Sequence, residues 1–204
     1  MSSDLFQALD KNTEVDGYRI NKVIGSGGFG ITYLGQDIGL DKAVAIKEYL
    51  PRDFAVRVDN ISVRAASTSD KDDFAWGLER FLDEARLLAK FDHKNIVSVY
   101  RFFEAHGTAY IVMEYIDGET VSSLLKREKT LSYDDLRSIL NPLLAGLEVV
   151  HKGDFLHRDI KPGNIIVHEN GIPILIDFGA ARQAVGVRSR SVTAIVTPAG
   201  LCPN

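Results

Sequence analysis

The sequence has almost no cysteine and no long apolar run, and these absences exclude several classes of protein. Cys202 is the only cysteine among 204 residues, so no intramolecular disulfide can form and a reducing compartment is expected. No stretch of 18 apolar residues occurs, so no membrane-spanning helix is predicted. The first four residues, Met1–Asp4, are neither basic nor apolar, unlike a secretory signal. We therefore expect a cytoplasmic protein.

Basic residues are fewer than acidic residues. The chain has 24 Lys and Arg against 28 Asp and Glu, a formal net charge of −4. A protein that binds nucleic-acid phosphates needs a positively charged surface, so no nucleic-acid partner is predicted. The composition, 45% hydrophobic and 25% charged, is otherwise that of an ordinary globular protein. This length allows one large domain or two small lobes around a cleft.

The first half of the chain has the pattern of β-structure with one helix. Five strands are predicted, at 18–24, 31–36, 43–49, 96–103 and 109–114. The polar stretch 51–73 is predicted as a loop with at most one short strand. Residues 74–90 carry apolar side chains at helical spacing, and residues 115–119 are predicted as a connector.

The second half is dominated by a helix. Ser132 and Asp135 have the spacing of a capping box, which predicts a helix that starts there and continues to Val150. Pro142 lies inside this helix and predicts a kink, because proline lacks the amide donor. The predicted apolar face consists of Leu136, Ile139, Leu140, Leu143, Leu144 and Leu147.

Two short apolar runs near the end, at 165–167 and 174–176, flank an Asn-Gly pair and predict a small hairpin. A β-rich half, a connector near residue 116 and a helical half together favour an α+β architecture of two lobes. A cleft between lobes is a common place for a ligand.

A glycine-rich stretch separates the first two predicted strands and reads Gly25-Ser26-Gly27-Gly28-Phe29-Gly30. Glycines let a hairpin approach a phosphate closely, with backbone amides facing it. The stretch is also compatible with an ordinary flexible turn. A dinucleotide-binding fingerprint would require a helix directly after the last glycine. Three of the next four residues, 31–34, are β-branched or aromatic, which favours a strand instead.

Lys47 and Glu84 form a second candidate feature. Lys47 ends an apolar strand, and Glu84 lies at the edge of the apolar stripe of the predicted helix. Each is also compatible with an ordinary solvated side chain. At a separation of ~4 Å the two charges would attract by roughly 4 kcal/mol at an intermediate dielectric, before desolvation is subtracted. Such a pair could hold an ammonium group facing nucleotide phosphates.

The densest signal is the stretch His-Arg-Asp-Ile-Lys-Pro-Gly-Asn at 157–164, which Asp177 follows soon after. Its Asp159, Lys161 and Asn164 can converge with Asp177 around the predicted hairpin. Phosphoryl transfer needs a carboxylate that accepts a hydroxyl proton, a lysine that neutralises the moving group, and oxygen ligands for Mg²⁺. Each residue alone would be an ordinary turn residue, but the combination makes a chance match negligible.

Together these motifs resemble the protein kinase family, and the resemblance covers about residues 18–200. It implies an α+β, kinase-like two-lobe fold. A lead-in of residues 1–17 would precede a complete β-rich N-terminal lobe at about 18–115 and an incomplete helical C-terminal lobe at about 116–204. The cofactors would be ATP and Mg²⁺, and the γ-phosphoryl group would pass to a Ser or Thr of a protein substrate. Lys161 is similar to the serine/threonine-specific branch, and the phrase 47–51, Lys-Glu-Tyr-Leu-Pro, looks bacterial.

The resemblance also implies roles for individual residues. Asp159 and Lys161 would be catalytic, Lys47 and Glu84 would form an ion pair, and Asn164 and Asp177 would hold the metal. The phosphate-covering loop would comprise Gly25, Ser26, Gly27, Gly28, Phe29 and Gly30. The adenine site would be lined by Ile24, Thr32, Ala45, Met113, Glu114 and Ile116. Thr32 departs from the valine usual in the family, and its hydroxyl needs a partner.

A hydroxyl-rich stretch follows the motifs. Ser189, Ser191 and Thr193 are candidate sites of activating phosphorylation, because a phosphate there could pair with Arg158 and order the segment. A plain polar loop is an equally open interpretation. After Thr197-Pro198 the family pattern stops. The chain is expected to be truncated within this segment, by a domain cut or by a change of reading frame.

Truncation would expose the apolar face of the 132–150 helix. Each large side chain is worth about 1.5–3 kcal/mol when buried, against a net stability of ~5–15 kcal/mol. We therefore predict a marginally stable, aggregation-prone chain whose β-rich lobe is the better formed. Three functions stay open: a serine/threonine kinase, a non-catalytic fragment that binds nucleotide or a partner, and, with least support, a small-molecule kinase.

Overall fold

A computed structural model describes residues 7–178 of the protein. The strands and helices of this part are β1 (Glu14–Val15), β2 (Tyr18–Gly27), β3 (Gly30–Asp37), β4 (Lys42–Tyr49), β5 (Ala55–Val58), β6 (Ser62–Ala65), α1 (Lys71–Leu88), β7 (Val99–Ala105), β8 (Thr108–Glu114), β9 (Gly118–Thr120), α2 (Val121–Glu128), α3 (Tyr133–Lys152), β10 (Ile165–His168) and β11 (Pro173–Leu175). A 3₁₀ turn, Pro162–Asn164, precedes β10. The predicted order of a β-rich part followed by a helical part is confirmed.

The main sheet has six strands in the order β1-β2-β3-β4-β8-β7, and every pairing is antiparallel. Helix α1 packs on this sheet. Tyr49 of β4 lies between two helix residues, Phe74 and Phe81, with ring centroids 5.3 and 5.5 Å apart. The largest apolar core of the described chain includes this contact and also residues on both faces of the sheet, such as Ala45 and Ile46.

The stretch 51–73, expected to be a loop with at most one strand, contains the hairpin β5–β6. Asp59 and Asn60 turn the chain with positive φ angles of 53° and 59°. Asp and Asn tolerate this conformation better than other non-glycine residues. Helix α1 also begins three residues earlier than expected, and its first turn gains Asp72 and Asp73, which complement the helix dipole.

The second part of the chain builds a three-stranded sheet, β11-β10-β9, flanked by α2 and α3. The predicted connector at 115–119 in fact includes the start of β9. The eight-residue helix α2 follows, and its first turn is capped by Thr120, whose Oγ1 accepts a hydrogen bond from the Ser123 amide at 3.1 Å. The start predicted for β7 is also wrong. Ile96 forms an isolated bridge with Leu175, which links the two parts, and β7 begins at Val99.

The capping box at the start of α3 is confirmed. The Ser132 Oγ accepts from the Asp135 amide, and the Asp135 carboxylate accepts from the Ser132 amide. The helix continues across Pro142 to Lys152. Only one side of the predicted apolar face is buried: Ile139 and Leu143 are covered, whereas Leu136, Leu140 and Leu144 are 42%, 50% and 61% exposed.

Within residues 7–178 we find no helix that combines the length and the apolar character needed to cross a membrane.

Candidate active site

A cleft of about 330 Å³ lies between the main sheet and the segment that follows α3. It is lined by Gly25, Ser26, Gly27, Gly28, Phe29, Gly30, Thr32, Lys47, Phe81, Glu84, Lys161, Gly163, Asn164, Asp177 and Phe178. A smaller cavity of about 140 Å³ shares Thr32, Lys47, Asn164 and Asp177 with the cleft. The two spaces are therefore parts of one site, which residues predicted from separate sequence motifs line together. Asp159 is not in the lining, and it is bonded to the site through Lys161 and Asn164.

The glycine-rich stretch covers one end of the cleft as the β2–β3 turn. Gly30 packs against β4 so closely that a Cβ atom would lie 1.9 Å from the Glu48 carbonyl oxygen, so no larger residue fits. A Cβ at Gly27 or Gly28 would meet nothing within 4 Å. The Phe29 carbonyl accepts a hydrogen bond from the Leu50 amide at 3.1 Å. The turn is thus anchored at its end and open toward the cleft at its tip.

Lys47 lies between two carboxylates inside the cleft. Its Nζ is 2.6 Å from Asp177 Oδ1 and 3.4 Å from Glu84 Oε1. Glu84 is only 2% exposed, so the alternative of a solvated helix glutamate is wrong. Burial alone would lower the pKa of Lys47, but the charges of Asp177 and Glu84 and the hydrogen bonds to both outweigh it and raise the pKa. Lys47 therefore stays protonated and can face an anionic ligand.

The segment before β10 gathers three predicted side chains. Lys161 Nζ donates to Asp159 Oδ2 at 2.7 Å, and Asn164 Nδ2 donates to the same oxygen at 2.9 Å and to the Asp159 carbonyl at 2.9 Å. The 3₁₀ turn Pro162–Asn164 sets this spacing, and the Asn164 carbonyl accepts from the Ile176 amide at 3.0 Å. The turn therefore also joins the Asp159 segment to the residue before Asp177.

Two further residues of this region, His157 and Phe178, were given no role from the sequence. His157 is 1% exposed, and its ring centroid is 4.1 Å from that of Phe178. Its Nδ1 accepts from the Asp159 amide at 3.3 Å, and its Nε2 has no hydrogen-bond partner within residues 7–178. Burial lowers the pKa of His157 to about 4, although the charges of Asp177 and Asp159 oppose the shift. A neutral His157 therefore holds the backbone of the Asp159 segment through its Nδ1 atom.

The smaller cavity holds the residues predicted for an adenine site. Ile24, Thr32, Ala45, Met113, Glu114 and Ile116 all line it. The sequence did not identify Val97, Ile166 and Ile176, which also line it. The two isoleucines belong to the predicted hairpin, and only the folded chain brings them opposite Ala45. A mostly apolar pocket beside a charged cleft fits a ligand with a flat apolar group and an anionic tail.

Asn164 and Asp177 both line the cleft, which is compatible with a shared divalent cation. The amide nitrogen of Asn164 is engaged with Asp159, and its amide oxygen takes no part in that bond. Within the described residues, no three His, Cys, Asp or Glu side chains cluster as a protein-only metal site would require. One amide oxygen and one carboxylate suit Mg²⁺, which keeps several waters and takes further ligands from phosphates.

The candidate sites of activating phosphorylation, Ser189, Ser191 and Thr193, lie outside the described part of the chain, as do Thr197 and Pro198.

The comparisons with known proteins agree on one family. Residues 18–203 match the model of the protein kinase domain. The chain is 34% identical over 194 residues to the serine/threonine-protein kinase PknA of Corynebacterium glutamicum, covering 92% of this chain and 38% of that protein. It is 36% identical over 174 residues to PknA of a Nostoc species, covering 83% of this chain and 28% of that protein. The chain thus spans less than two fifths of the length of these relatives.

A solved structure of PpkA-294 in its apo form has a similar fold, with a TM-score of 0.86 and 36% identity. The similarity covers 90% of this chain and 66% of that one. The α+β fold implied by the sequence motifs is confirmed by this structure.

Proposed function

The chain belongs to the protein kinase domain family, and on this basis we propose that it binds Mg-ATP and transfers the γ-phosphoryl group to a serine or threonine of a protein. The observation that carries the proposal is the position of Lys47. Its ammonium group is held by Glu84 and Asp177 in a cleft that Lys161 and Asn164 also line, and both of these residues bond the Asp159 carboxylate. The groups that phosphoryl transfer needs would therefore meet at one cavity.

The nucleotide would occupy both spaces of the site. We propose that adenine enters the smaller cavity, against Ala45, Met113 and Ile166, and that the phosphates extend beneath the β2–β3 turn toward Lys47. The open backbone at Gly27 and Gly28 favours close approach of a phosphate. The raised pKa of Lys47 keeps its charge available for the phosphate oxygens.

The transfer itself would be divided between the side chains around Asp159. Asp159 accepts the proton of the substrate hydroxyl while the new oxygen–phosphorus bond forms and the bond to the bridging oxygen of ADP breaks. Lys161, 2.7 Å from Asp159, compensates charge on the moving phosphoryl group. Asn164 and Asp177 would hold Mg²⁺, which neutralises charge on the phosphate oxygens. His157 holds the Asp159 amide in place.

The acceptor and the cellular setting are also proposed. The printed names of the relatives favour a Ser or Thr acceptor, and Lys161 agrees with that choice. Ser189, Ser191 and Thr193 are proposed sites of activating phosphorylation. The low cysteine content suits a cytoplasmic protein.

The test is transfer of labelled γ-phosphate from ATP to a generic protein substrate, by the wild type and by Asp159→Asn. We expect label from the wild type and at least a hundredfold less from the variant, since a general base contributes roughly 10²–10⁴-fold. Equal background from both would reject the kinase proposal. A rise in melting temperature on adding Mg-ATP, lost in Lys47→Ala, would then favour a nucleotide-binding fragment without catalysis. No rise in either protein would reject nucleotide binding as well.

A further inference from the structure

A buried cluster of polar side chains lies behind the strand that carries Lys47. Glu48 is fully buried, and its Oε2 accepts hydrogen bonds from the Tyr33 hydroxyl at 2.7 Å and from Arg57 Nη2 at 2.5 Å. Its Oε1 accepts from the Tyr110 hydroxyl at 2.8 Å. Only 4% of the Arg57 side chain is exposed. We call these four residues the Glu48 cluster.

The Glu48 cluster lies on the face of the main sheet opposite the cleft. Lys47 and Glu48 are consecutive in β4, and consecutive side chains of a strand point to opposite faces. Tyr110 of β8 is the direct cross-strand partner of Glu48. Tyr33 lies in β3, the strand on the other side of β4. The carboxylate of Glu48 therefore connects the three central strands directly behind the active-site lysine.

The backbone of Glu48 also supports the glycine-rich turn. Its carbonyl oxygen is the atom that leaves no room for a side chain at Gly30. Two residues further on, the Leu50 amide holds the Phe29 carbonyl. A shift of β4 at Glu48 would therefore displace Lys47 and the turn together.

Two bonds connect the same cluster to the chain before β1. Arg57 Nε donates to the Gln7 carbonyl at 2.6 Å, and the Leu9 amide donates to the Tyr33 hydroxyl at 3.0 Å. Burial and the charge of Glu48 both raise the pKa of Tyr33 and of Tyr110, so both hydroxyls stay protonated as donors.

Stability alone is a weak reason for such a cluster. Taking a carboxylate and a guanidinium out of water costs several kcal/mol per ion, and well-packed apolar side chains often replace buried ion pairs without loss. What hydrogen bonds add is a single defined geometry. We propose that Glu48 is a positioning residue that fixes Lys47 and the Gly30 turn for nucleotide binding. This inference rests on the proposed binding of Mg-ATP.

The experiment compares the Kd of Mg-ATP for the wild type, Glu48→Gln and Tyr110→Phe. It uses competition with a fluorescent nucleotide, at a temperature where near-UV circular dichroism shows each protein folded. Tyr110→Phe removes one hydroxyl and keeps the ring, so it carries the test if Glu48→Gln does not fold. Tyr100→Phe, which removes an exposed hydroxyl bonded to Lys42, is the matched control.

We expect the Kd to rise about three- to tenfold in both cluster variants and to stay unchanged in Tyr100→Phe. A purely structural role would lower the melting temperature of the two cluster variants and leave their Kd unchanged. That result overturns the inference. If the wild type itself does not bind Mg-ATP, the proposed function fails first, and the inference fails with it.

Discussion

At the scale of single residues, the site depends on how Lys47 is shared between two carboxylates. Asp177 is closer, at 2.6 Å, but its side chain is 35% exposed and it is the proposed cation ligand. Glu84 is farther, at 3.4 Å, and is almost fully buried. If a cation engages Asp177, Glu84 becomes the partner that holds the ammonium group. The buried glutamate should therefore matter more for the reaction than the longer distance suggests.

Glu84→Gln tests this division of roles. The change keeps the size of the side chain but removes its charge, and hydrogen bonds to charged groups are worth about 1.5–3 kcal/mol. We expect kcat/KM for ATP to fall about 10- to 100-fold, measured with the phosphate-transfer assay. Glu79→Gln, at an exposed position of the same helix, is the control and should behave as the wild type. Equal activity of the two variants would contradict a role for Glu84.

His157 gives a prediction of pH dependence for the protein without metal or nucleotide. Its pKa is lowered to about 4 in the folded state, whereas an unfolded histidine titrates near 6.5. The unfolded state therefore binds the proton first, so the stability is complete above pH 6.5 and is lost as the pH falls toward 4. The loss at pH 5 should be about 2 kcal/mol.

The measurement is urea unfolding at pH 7.5 and pH 5 for the wild type and for His157→Phe. Phenylalanine keeps a ring against Phe178 and cannot be protonated. The drop in unfolding free energy between pH 7.5 and pH 5 should be smaller in the variant by about 2 kcal/mol. The same drop in both proteins would show that other groups cause it.

At the scale of the elements, α3 shows how a helix can satisfy a periodic pattern and still bury only part of it. Leu143 is 5% exposed and packs with Val121, Ile139 and Leu175, whereas its neighbour Leu144 is 61% exposed. The residues are chemically identical and adjacent in sequence. Their difference lies only in the direction in which the helix presents them.

This pair gives a matched prediction. Leu143→Ala should lower the free energy of unfolding by about 2–5 kcal/mol, since it leaves a cavity in a packed cluster. Leu144→Ala should change it by no more than about 0.5 kcal/mol. Chemical denaturation of both variants and the wild type checks this. Comparable losses in the two would mean that Leu144 is covered in the protein in solution.

The elements also show which parts of the fold could be predicted from the sequence. The strands around the glycine-rich turn, the helix with Glu84 and the capped start of α3 have strong local patterns, and all are present. The β5–β6 hairpin and α2 are only four to eight residues long per element, too short for a periodic pattern to separate them from loops. Strand pairing forms the hairpin, and the cap by Thr120 stabilises the start of α2.

The candidate site also combines residues that local motifs predict with residues that only the folded chain brings together. Lys161, Asn164 and Asp177 were predictable because their motifs are local in sequence, and the structure brings all three to one cleft, where Lys161 and Asn164 bond Asp159. Ile166 and Ile176 were not, since only the folded chain brings them to the same cavity as Ala45. Their roles in binding and catalysis stay predictions.

At the scale of the whole molecule, the described chain has one large core and two small ones. The large core fills the main sheet and α1, and the small ones lie around α3 and around His157 and Phe178. Polar contacts that join the two parts include the Val97 amide donating to the Leu175 carbonyl at 3.0 Å and the Leu175 amide donating to the Asn95 carbonyl at 2.9 Å. Asn95 Nδ2 also donates to the Pro173 carbonyl at 2.7 Å, and Lys47 pairs with Asp177. A nucleotide in the cleft would touch both parts.

Hydrogen exchange should therefore respond to Mg-ATP on both sides of the cleft. Without ligand, we expect β2–β4 and β8 to exchange slowest and α2, α3 and β10 faster, because the second part has the smaller cores. At a ligand concentration about 100 times Kd, binding adds roughly 2.7 kcal/mol, which slows exchange through global opening about a hundredfold. Peptides that cover β3 and peptides that cover β10 should both show this slowing, and neither set should show it in Lys47→Ala. Protection confined to the main sheet would mean that the nucleotide does not bridge the cleft, and that Asp159 and Asn164 do not meet the phosphates.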